Sequence, residues 1–332
     1  MGRLFDGNGF LNIQHLDRDE YPFVIVVGAR GVGKTYGLLK YCYEAGRKVL
    51  YLRRTDSQAR AVSTDAFNPY KSLFADLGVE DYWLSKTRPK AVVVEGRTVA
   101  NIAGLSTFAN LRGFDASTVE DIIFDEFIPE HNDKAIRDES EVLWNAYETV
   151  NRNRELLGRP PVKLWMLANS NRIESPIFAS LGIMQKMLSL SKSVNAVEPI
   201  PEKGLLLVSI NNSPISERKA STALYRLADA SFKKMALQND YRYNSENIRS
   251  FKLDQLEPKV SVGEVVLYRH KTLGVFYGTF HLSGSPESYG TTDSEIERFA
   301  KKWGFLYDYY RMGYVMMESI ECDYVFRTLI KM

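Results

Sequence analysis

The chain has 332 residues, enough to bury a sizeable core as one large domain or two ordinary ones. Apolar residues make up 45% and charged residues 25%, and a net charge of +2 is too small to demand nucleic acid or an anionic membrane as partner, so any basic surface has to be local. Cys42 and Cys322 lie far apart in no metal or redox spacing, and no apolar run approaches the roughly 18 residues of a membrane span, so a cytosolic chain without a membrane partner is expected.

Residues 1–22 are polar and irregular, with Phe5, Phe10, Leu11, Ile13 and Leu16 placed to pack on a sheet or to contact adenine. Phe23 to Val27 is an apolar, β-branched run that predicts a buried strand. It leads into Gly28-Ala29-Arg30-Gly31-Val32-Gly33-Lys34-Thr35, which meets the Walker A pattern at every fixed position. The segment from Tyr36 to Ala45 then spaces Leu38, Leu39 and Cys42 as a helix, and Gly46 ends it. Strand, glycine turn and helix start are what a triphosphate needs: backbone N–H groups wrap the phosphates and the helix N-terminus adds positive potential. Lys34 is expected to reach the β- and γ-phosphates of ATP, and the Thr35 hydroxyl to ligate Mg²⁺.

Lys48 to Leu52 predicts a second strand, ending in Arg53 and Arg54. The carboxyl ends of strands in an open α/β sheet face the ligand crevice, so these arginines sit near phosphate, near a neighbouring subunit, or simply in solvent. Residues 55–90 read as an inserted helical stretch, Ala91 to Ala103 as a hairpin, and Asn110 to Gly113 as a loop. Asp121-Ile122-Ile123-Phe124-Asp125-Glu126 follows, a short apolar strand delivering two adjacent carboxylates. With Walker A upstream it reads as Walker B. Asp125 holds Mg²⁺, and Glu126, pointing to the other side of the strand end, polarises the water that attacks the γ-phosphate. The extra glutamate favours ATP hydrolysis over a switch GTPase, which places its water with a glutamine.

A helix is predicted over residues 134–157, ending in Asn151-Arg152-Asn153-Arg154-Glu155 before Pro160-Pro161. An arginine there can reach a neighbour's γ-phosphate or lie in solvent. Val162 to Leu167 predicts another buried strand, and Asn169 just beyond it is the candidate to sense the γ-phosphate or orient the water. Helical and loop segments run to Pro201, and Leu205 to Ile210 is the last strand of a mostly parallel sheet covered on both faces. From Arg218 to Lys252, eight basic residues (Arg218, Lys219, Arg226, Lys233, Lys234, Arg242, Arg249 and Lys252) face Asp229, Asp240 and Glu246, suggesting a helical linker or lid with a phosphate-binding face. Strands are expected over Val260–His270 and Leu273–Ser283, and helices over Asp293–Gly304 and Ile320–Met332.

Gly28 to Tyr36, Tyr51-Leu52-Arg53-Arg54, Ile123-Phe124-Asp125-Glu126-Phe127-Ile128 and Arg152-Asn153-Arg154-Glu155 occur in this order. In that combination, with Ser216-Glu217-Arg218-Lys219, the chain resembles the DNA-packaging motor ATPases of small protein-primed tailed phages, terminase-like encapsidation proteins. Leu111-Arg112-Gly113 is similar to a segment of large terminase subunits. The resemblance implies an additional-strand (ASCE) P-loop ATPase of α/β class with a mostly parallel central sheet. A helical linker and a small α+β, RNase H-like, nuclease-derived C-terminal domain would follow. The expected boundaries are 1–212, 213–249 and 250–332. It also implies a homo-oligomeric ring, a pentamer by analogy, that docks on the portal of a procapsid in the host cytoplasm and drives double-stranded DNA inward. Nucleotide would be held by Gly28, Ala29, Arg30, Gly31, Val32, Gly33, Lys34, Thr35 and Tyr36, and Mg²⁺ by Thr35 and Asp125. Lys34, Glu126 and Asn169 would act in cis and Arg152 (or Arg154) in trans. Leu273 to Leu282 carries no carboxylate, so no nuclease activity is expected, and the C-terminal domain would dock to the procapsid or a packaging RNA. Three other readings fit the residues: an FtsK/HerA-type translocase, a small-molecule kinase, and a nucleotide-gated portal scaffold with negligible turnover.

Overall fold

The computed structural model of the chain describes residues 4–111, 114–130, 133–169, 172–229, 233, 236–237, 241 and 246–331, with the backbone alone at 110 and 111. Arg112, Gly113, Ser170, Asn171, Lys234 and Arg242 therefore lie outside the described residues. The chain divides into two compact units, one of residues 1–172 and 187–242, the other of residues 173–186 and 243–332.

The first unit is built on a nine-stranded sheet. Its strands are β1 (Phe23–Gly28), β2 (Val49–Arg53), β3 (Tyr82–Leu84), β4 (Lys90–Val94), β5 (Arg97–Gly104), β6 (Asp121–Asp125), β7 (Lys163–Ala168), β8 (Asn195–Ile200) and β9 (Leu205–Ile210). They lie in the order β3-β4-β5-β2-β6-β7-β1-β9-β8. The strands from β5 through β9 in that order run parallel, and antiparallel β3, β4 and β8 close the edges. β1, β6, β7 and β9 are buried along nearly their whole length. Strands covered on both faces have no polar side to show, hence their continuous apolar runs. β7 stands between β1 and β6, pairing Val26 with Leu167 on one side and Phe124 with Met166 on the other. This interposed strand is the additional strand of the ASCE class.

Among the helices of this unit, α1 (Lys34–Glu44) packs Leu38, Leu39 and Cys42 into the core. α2 (Asp56–Val62) starts at a capping box in which Thr55 and Gln58 satisfy each other's backbone N–H groups. α3 (Pro69–Leu77) is capped by Asn68 and ends at Gly78, and α4 (Glu139–Asn151) buries Leu143, Ala146 and Val150. The predicted helix over 134–157 is thus shorter, because the backbone at Asp138 and Arg152 leaves the right-handed region at both ends. β8 corrects the expectation of helix and loop up to Pro201. Its residues are half exposed, so it lacks the apolar signature that marks its neighbours.

Arg53 ends β2 and Arg54 follows it, so alternation along the extended chain sends their side chains in different directions. Arg54 turns inward, where Nε and Nη2 each donate to a Glu139 carboxylate oxygen at 2.7 Å, and Nη1 donates to Asp133. Both members of the Arg54–Glu139 pair are 1% exposed.

The second unit has its own core around Val260, Val262, Leu267, Phe276, Phe299, Val315 and Phe326. Its five strands are β10 (Leu256–Val262), β11 (Val265–His270), β12 (Phe276–Thr279), β13 (Glu287–Tyr289) and β14 (Val315–Met317), ordered β13-β10-β11-β12-β14. The segment Val260–His270, expected as one strand, breaks at Gly263 (φ 53°) into a β10–β11 hairpin. Leu273–Ser283, expected as a longer strand, supplies only the four residues of β12, antiparallel to β11. Helices Asp293–Trp303, Phe305–Arg311 and Ile320–Leu329 complete the unit.

The units differ from the expected boundaries. Residues 213–242 group with the nine-stranded sheet, and residues 173–186 with the C-terminal unit. There the Arg327 Nη2 donates to Glu174 Oε1 at 2.5 Å, and the Met184 N–H donates to Glu321 Oε1 at 2.6 Å. Among the described residues no helix is long and apolar enough to cross a membrane.

Removing one partner of a buried ion pair leaves the other charge uncompensated, so Glu139→Gln should lower stability by about 3–5 kcal/mol. Urea denaturation should show the lower midpoint, and a joint Arg54→Met, Glu139→Leu replacement should recover most of it.

Candidate nucleotide site

β1 ends at Gly28, and the loop to Lys34 turns through two left-handed glycines, Gly31 (φ 77°) and Gly33 (φ 89°). A side chain at either would be strained; Gly33 is a fixed position of the Walker pattern, whereas Gly31 fills one of its variable positions. Ala29 and Val32 are buried and anchor the loop from beneath. Arg30, Gly31, Gly33, Lys34, Thr35, Tyr36, Asp125, Glu126, Ala168 and Asn169 together line one cleft of about 340 Å³. Residues expected from three distant motifs therefore meet in one place.

Lys34 is buried and folded back on its own loop. Its Nζ donates to the Gly28 carbonyl at 2.7 Å, the Ala29 carbonyl at 2.9 Å and Asn169 Oδ1 at 3.0 Å. Burial brings the ammonium down to about 8, against the opposing pull of Asp125 and Glu126. Asn169 reaches Lys34 because β7 lies directly beside β1.

Asp125, at the end of β6, is met by three side chains from other elements. The Thr35 hydroxyl lies 3.1 Å from each of its oxygens, and the Tyr51 hydroxyl donates to Oδ2 at 2.5 Å. Arg53 Nη1 approaches the same oxygen at 3.5 Å, and Arg53 Nη2 forms a short ion pair with Glu126. Burial pushes the Asp125 carboxyl up, while Arg53 and Tyr51 hold it down. Arg53 thus meets the two Walker B carboxylates rather than solvent, and Arg54 meets Glu139. Glu126 does not point to the far side of the strand end: its backbone is left-handed (φ 54°), and its side chain lines the same cleft as Asp125. Tyr51 belongs to the Tyr51-Leu52-Arg53-Arg54 run but has no role assigned from sequence; a two-residue spacing puts it on the same face of β2 as Arg53.

Two further segments border the loop. Phe10, 41% exposed, lies against Gly33, where a Cβ would come within 3.1 Å of its ring, whereas Leu11, Ile13 and Leu16 are buried packing residues. Tyr36 is exposed and its hydroxyl donates to Asp76 at 2.7 Å.

Arg152 does not line this cleft. It is exposed at the end of α4, and its Nε donates to the Thr149 carbonyl at 3.2 Å. Arg154 is tied down by a short bond from Nη1 to the Val119 carbonyl.

Fold and cleft define an additional-strand P-loop ATPase of α/β class with a separate C-terminal α+β unit. More narrowly, the chain matches the podovirus DNA encapsidation protein (Gp16) family over residues 5–294 and belongs to it. Membership makes it a viral DNA encapsidation protein. It is 25% identical over 227 residues to the DNA packaging protein of Bacillus phage B103, covering 67% of this chain and 64% of that one. It is 26% identical over 248 residues to the DNA packaging protein of Bacillus phage phi29, covering 73% and 68% respectively. The matches thus span about two thirds of these relatives' length. Among solved structures, "The Phi-28 gp11 DNA packaging Motor" superposes with a TM-score of 0.69 at 19% identity, covering 98% of this chain and 99% of that chain. "The bacteriophage Phi-29 viral genome packaging motor assembly" gives 0.65 at 19% identity, covering 97% and 98%. Both share its fold.

In the nucleotide-free protein, Lys34 should titrate with a midpoint near 8, read from its side-chain NMR signal. Asp125→Asn removes the strongest opposing charge and should lower that midpoint further; an unchanged midpoint would mean that the two side chains are not coupled.

Proposed function

We propose that this chain hydrolyses ATP and, as one subunit of a ring, uses the energy to drive double-stranded DNA into a procapsid. The observation that carries the reading is the convergence of Lys34, Thr35, Asp125, Glu126 and Asn169 on the cleft beside the glycine loop. The printed names of its relatives, DNA packaging proteins and a viral genome packaging motor assembly, support the DNA and the assembly.

Backbone N–H groups between Gly28 and Lys34 would bind the phosphates, and the Lys34 ammonium would exchange its carbonyl partners for phosphate oxygens. Thr35 and Asp125 would hold Mg²⁺; hydroxyl and carboxylate oxygens 3.1 Å apart are a donor set that suits a hard cation. The ion would neutralise charge on the β- and γ-phosphate oxygens. Glu126, released from Arg53, would orient the attacking water and accept its proton, with Asn169 steadying the γ-phosphate side. Arg152 is the better candidate to reach a neighbour's nucleotide, since it is exposed whereas the Arg154 guanidinium is engaged with Val119.

A ring at the portal vertex, in the host cytoplasm, would grip DNA through phosphate contacts that are independent of sequence and sensitive to salt. The C-terminal unit is proposed as a nuclease-inactive docking domain for the procapsid or a packaging RNA. Two of its three inner strands, Val265–His270 and Phe276–Thr279, carry no carboxylate to hold catalytic metal ions.

Phosphate release with and without double-stranded DNA tests the reading: a translocase is stimulated, and a flat response at all DNA concentrations would favour the scaffold. Glu126→Gln should keep ATP binding and lose turnover by about 10²-fold or more. Arg152→Ala should be inactive alone and partly rescued by mixing with Glu126→Gln subunits; native turnover by Arg152→Ala alone would exclude the trans role.

Binding also has a pH signature. Phosphates favour the charged form of Lys34, so binding takes up a proton once the free lysine begins to lose its own near pH 8. Affinity for ATP should therefore fall about tenfold between pH 7 and 9 by calorimetry, with proton uptake appearing only at the alkaline end.

A further inference from the structure

The basic stretch after β9 contains a lysine whose position does not suit a DNA-facing surface. β9 runs beside β1 with Ile210 opposite Gly28, and the Ala29 N–H donates to the Ile210 carbonyl at 3.3 Å. The chain leaving β9 therefore starts at the root of the phosphate loop. Ser213 caps a short helix, Pro214–Lys219, by accepting from the Ser216 N–H at 3.0 Å. Pro214 rests against Gly9, where a Cβ would lie 2.8 Å from its ring. From the last residue of this helix, Lys219 extends over the loop. Its Nζ donates to the Arg30 carbonyl at 3.1 Å and lies 1.9 Å from where a Gly31 Cβ would be. The same residue is held a second time, by the Arg30 N–H donating to the Ala236 carbonyl at 3.2 Å.

We propose that Lys219 is a second phosphate-contacting cation of the nucleotide site, acting in cis and tying the 214–219 helix to nucleotide occupancy. The proposal rests on the reading of the glycine loop as an ATP site. An ammonium has three donors, and the Arg30 carbonyl takes one, leaving capacity for phosphate oxygens. Lys219 is close enough to Lys34 for its charge to weigh against the Lys34 ammonium in the free protein. A polyphosphate between the two relieves that repulsion. Gly31 serves this arrangement twice: it gives the loop its left-handed turn, and its missing side chain makes room for the lysine.

Arg218 supplies a matched control. It has the same charge one residue earlier, but its Nη2 forms a short bond with the Asn8 carbonyl instead of the loop. Calorimetric titration of Mg-ATP and Mg-ADP into the full chain should show binding to Lys219→Met weakened about tenfold or more, as for loss of a charge-assisted contact. Lys219→Arg and Arg218→Met should stay within about twofold of the unmodified chain on the same scale. Amide exchange across residues 214–219 should slow on ADP binding in the unmodified chain and not in Lys219→Met, a readout that a purely structural role would leave alone. Unchanged or tighter binding by Lys219→Met, or an equal loss in Arg218→Met, would overturn the proposal while leaving the ATP site intact. An unmodified chain that binds no ATP would instead remove the ATP site, and this inference with it.

Discussion

The buried carboxylate of Asp125 is the constraint from which the site follows. A carboxylate taken out of water must be matched by donors or it will protonate or unfold its surroundings. Here the donors come from separate elements: the Thr35 hydroxyl from the start of α1, and the Tyr51 hydroxyl and Arg53 guanidinium from β2. Satisfying one group therefore fixes the ends of β2 and β6 against the phosphate loop. The same economy appears one residue on, where Arg53 also pairs with Glu126 and keeps the proposed base turned toward β2.

The strand order makes this convergence available. Interposing β7 between β1 and β6 carries Asn169 to within 3.0 Å of the Lys34 ammonium without displacing Asp125 from Thr35. Parallel strands all present their carboxyl ends on one edge, so residues 135 positions apart in the chain become hydrogen-bond partners. The cleft is then bordered by Phe10 from the N-terminal arm and Lys219 from the segment after β9, each packed on a loop glycine. In the proposed reading, the first cost to be offset by nucleotide is the loss of the carbonyl contacts that hold Lys34 and Lys219.

Much of this was legible from residues alone, and the reasons are local. The glycine-lysine-threonine spacing works because φ and close backbone approach are properties of single residues, and Asp125-Glu126 stands out because an apolar strand ends abruptly in charge. The parallel strands declared themselves because burial on both faces demands unbroken apolar runs, as in Val24–Val27 and Leu164–Leu167. The edge strand Asn195–Ile200 did not, since half-exposed residues carry no such demand. Nor did the second unit's β13 and β14, which at three residues each are too short for any periodicity.

The sequence by itself determined the nucleotide loop, the Walker B strand, the ATPase class and the family. Tertiary structure decided which way each charged side chain went. Arg53 and Arg54 are chemically identical neighbours, yet alternation gives one to the Walker B carboxylates and the other to a buried pair with Glu139. Lys219 reads as one of a run of basic residues until the fold lays its helix across Gly31. Charge is written in the residue; its partner is set by which chain segments the core brings together, and no local pattern records that.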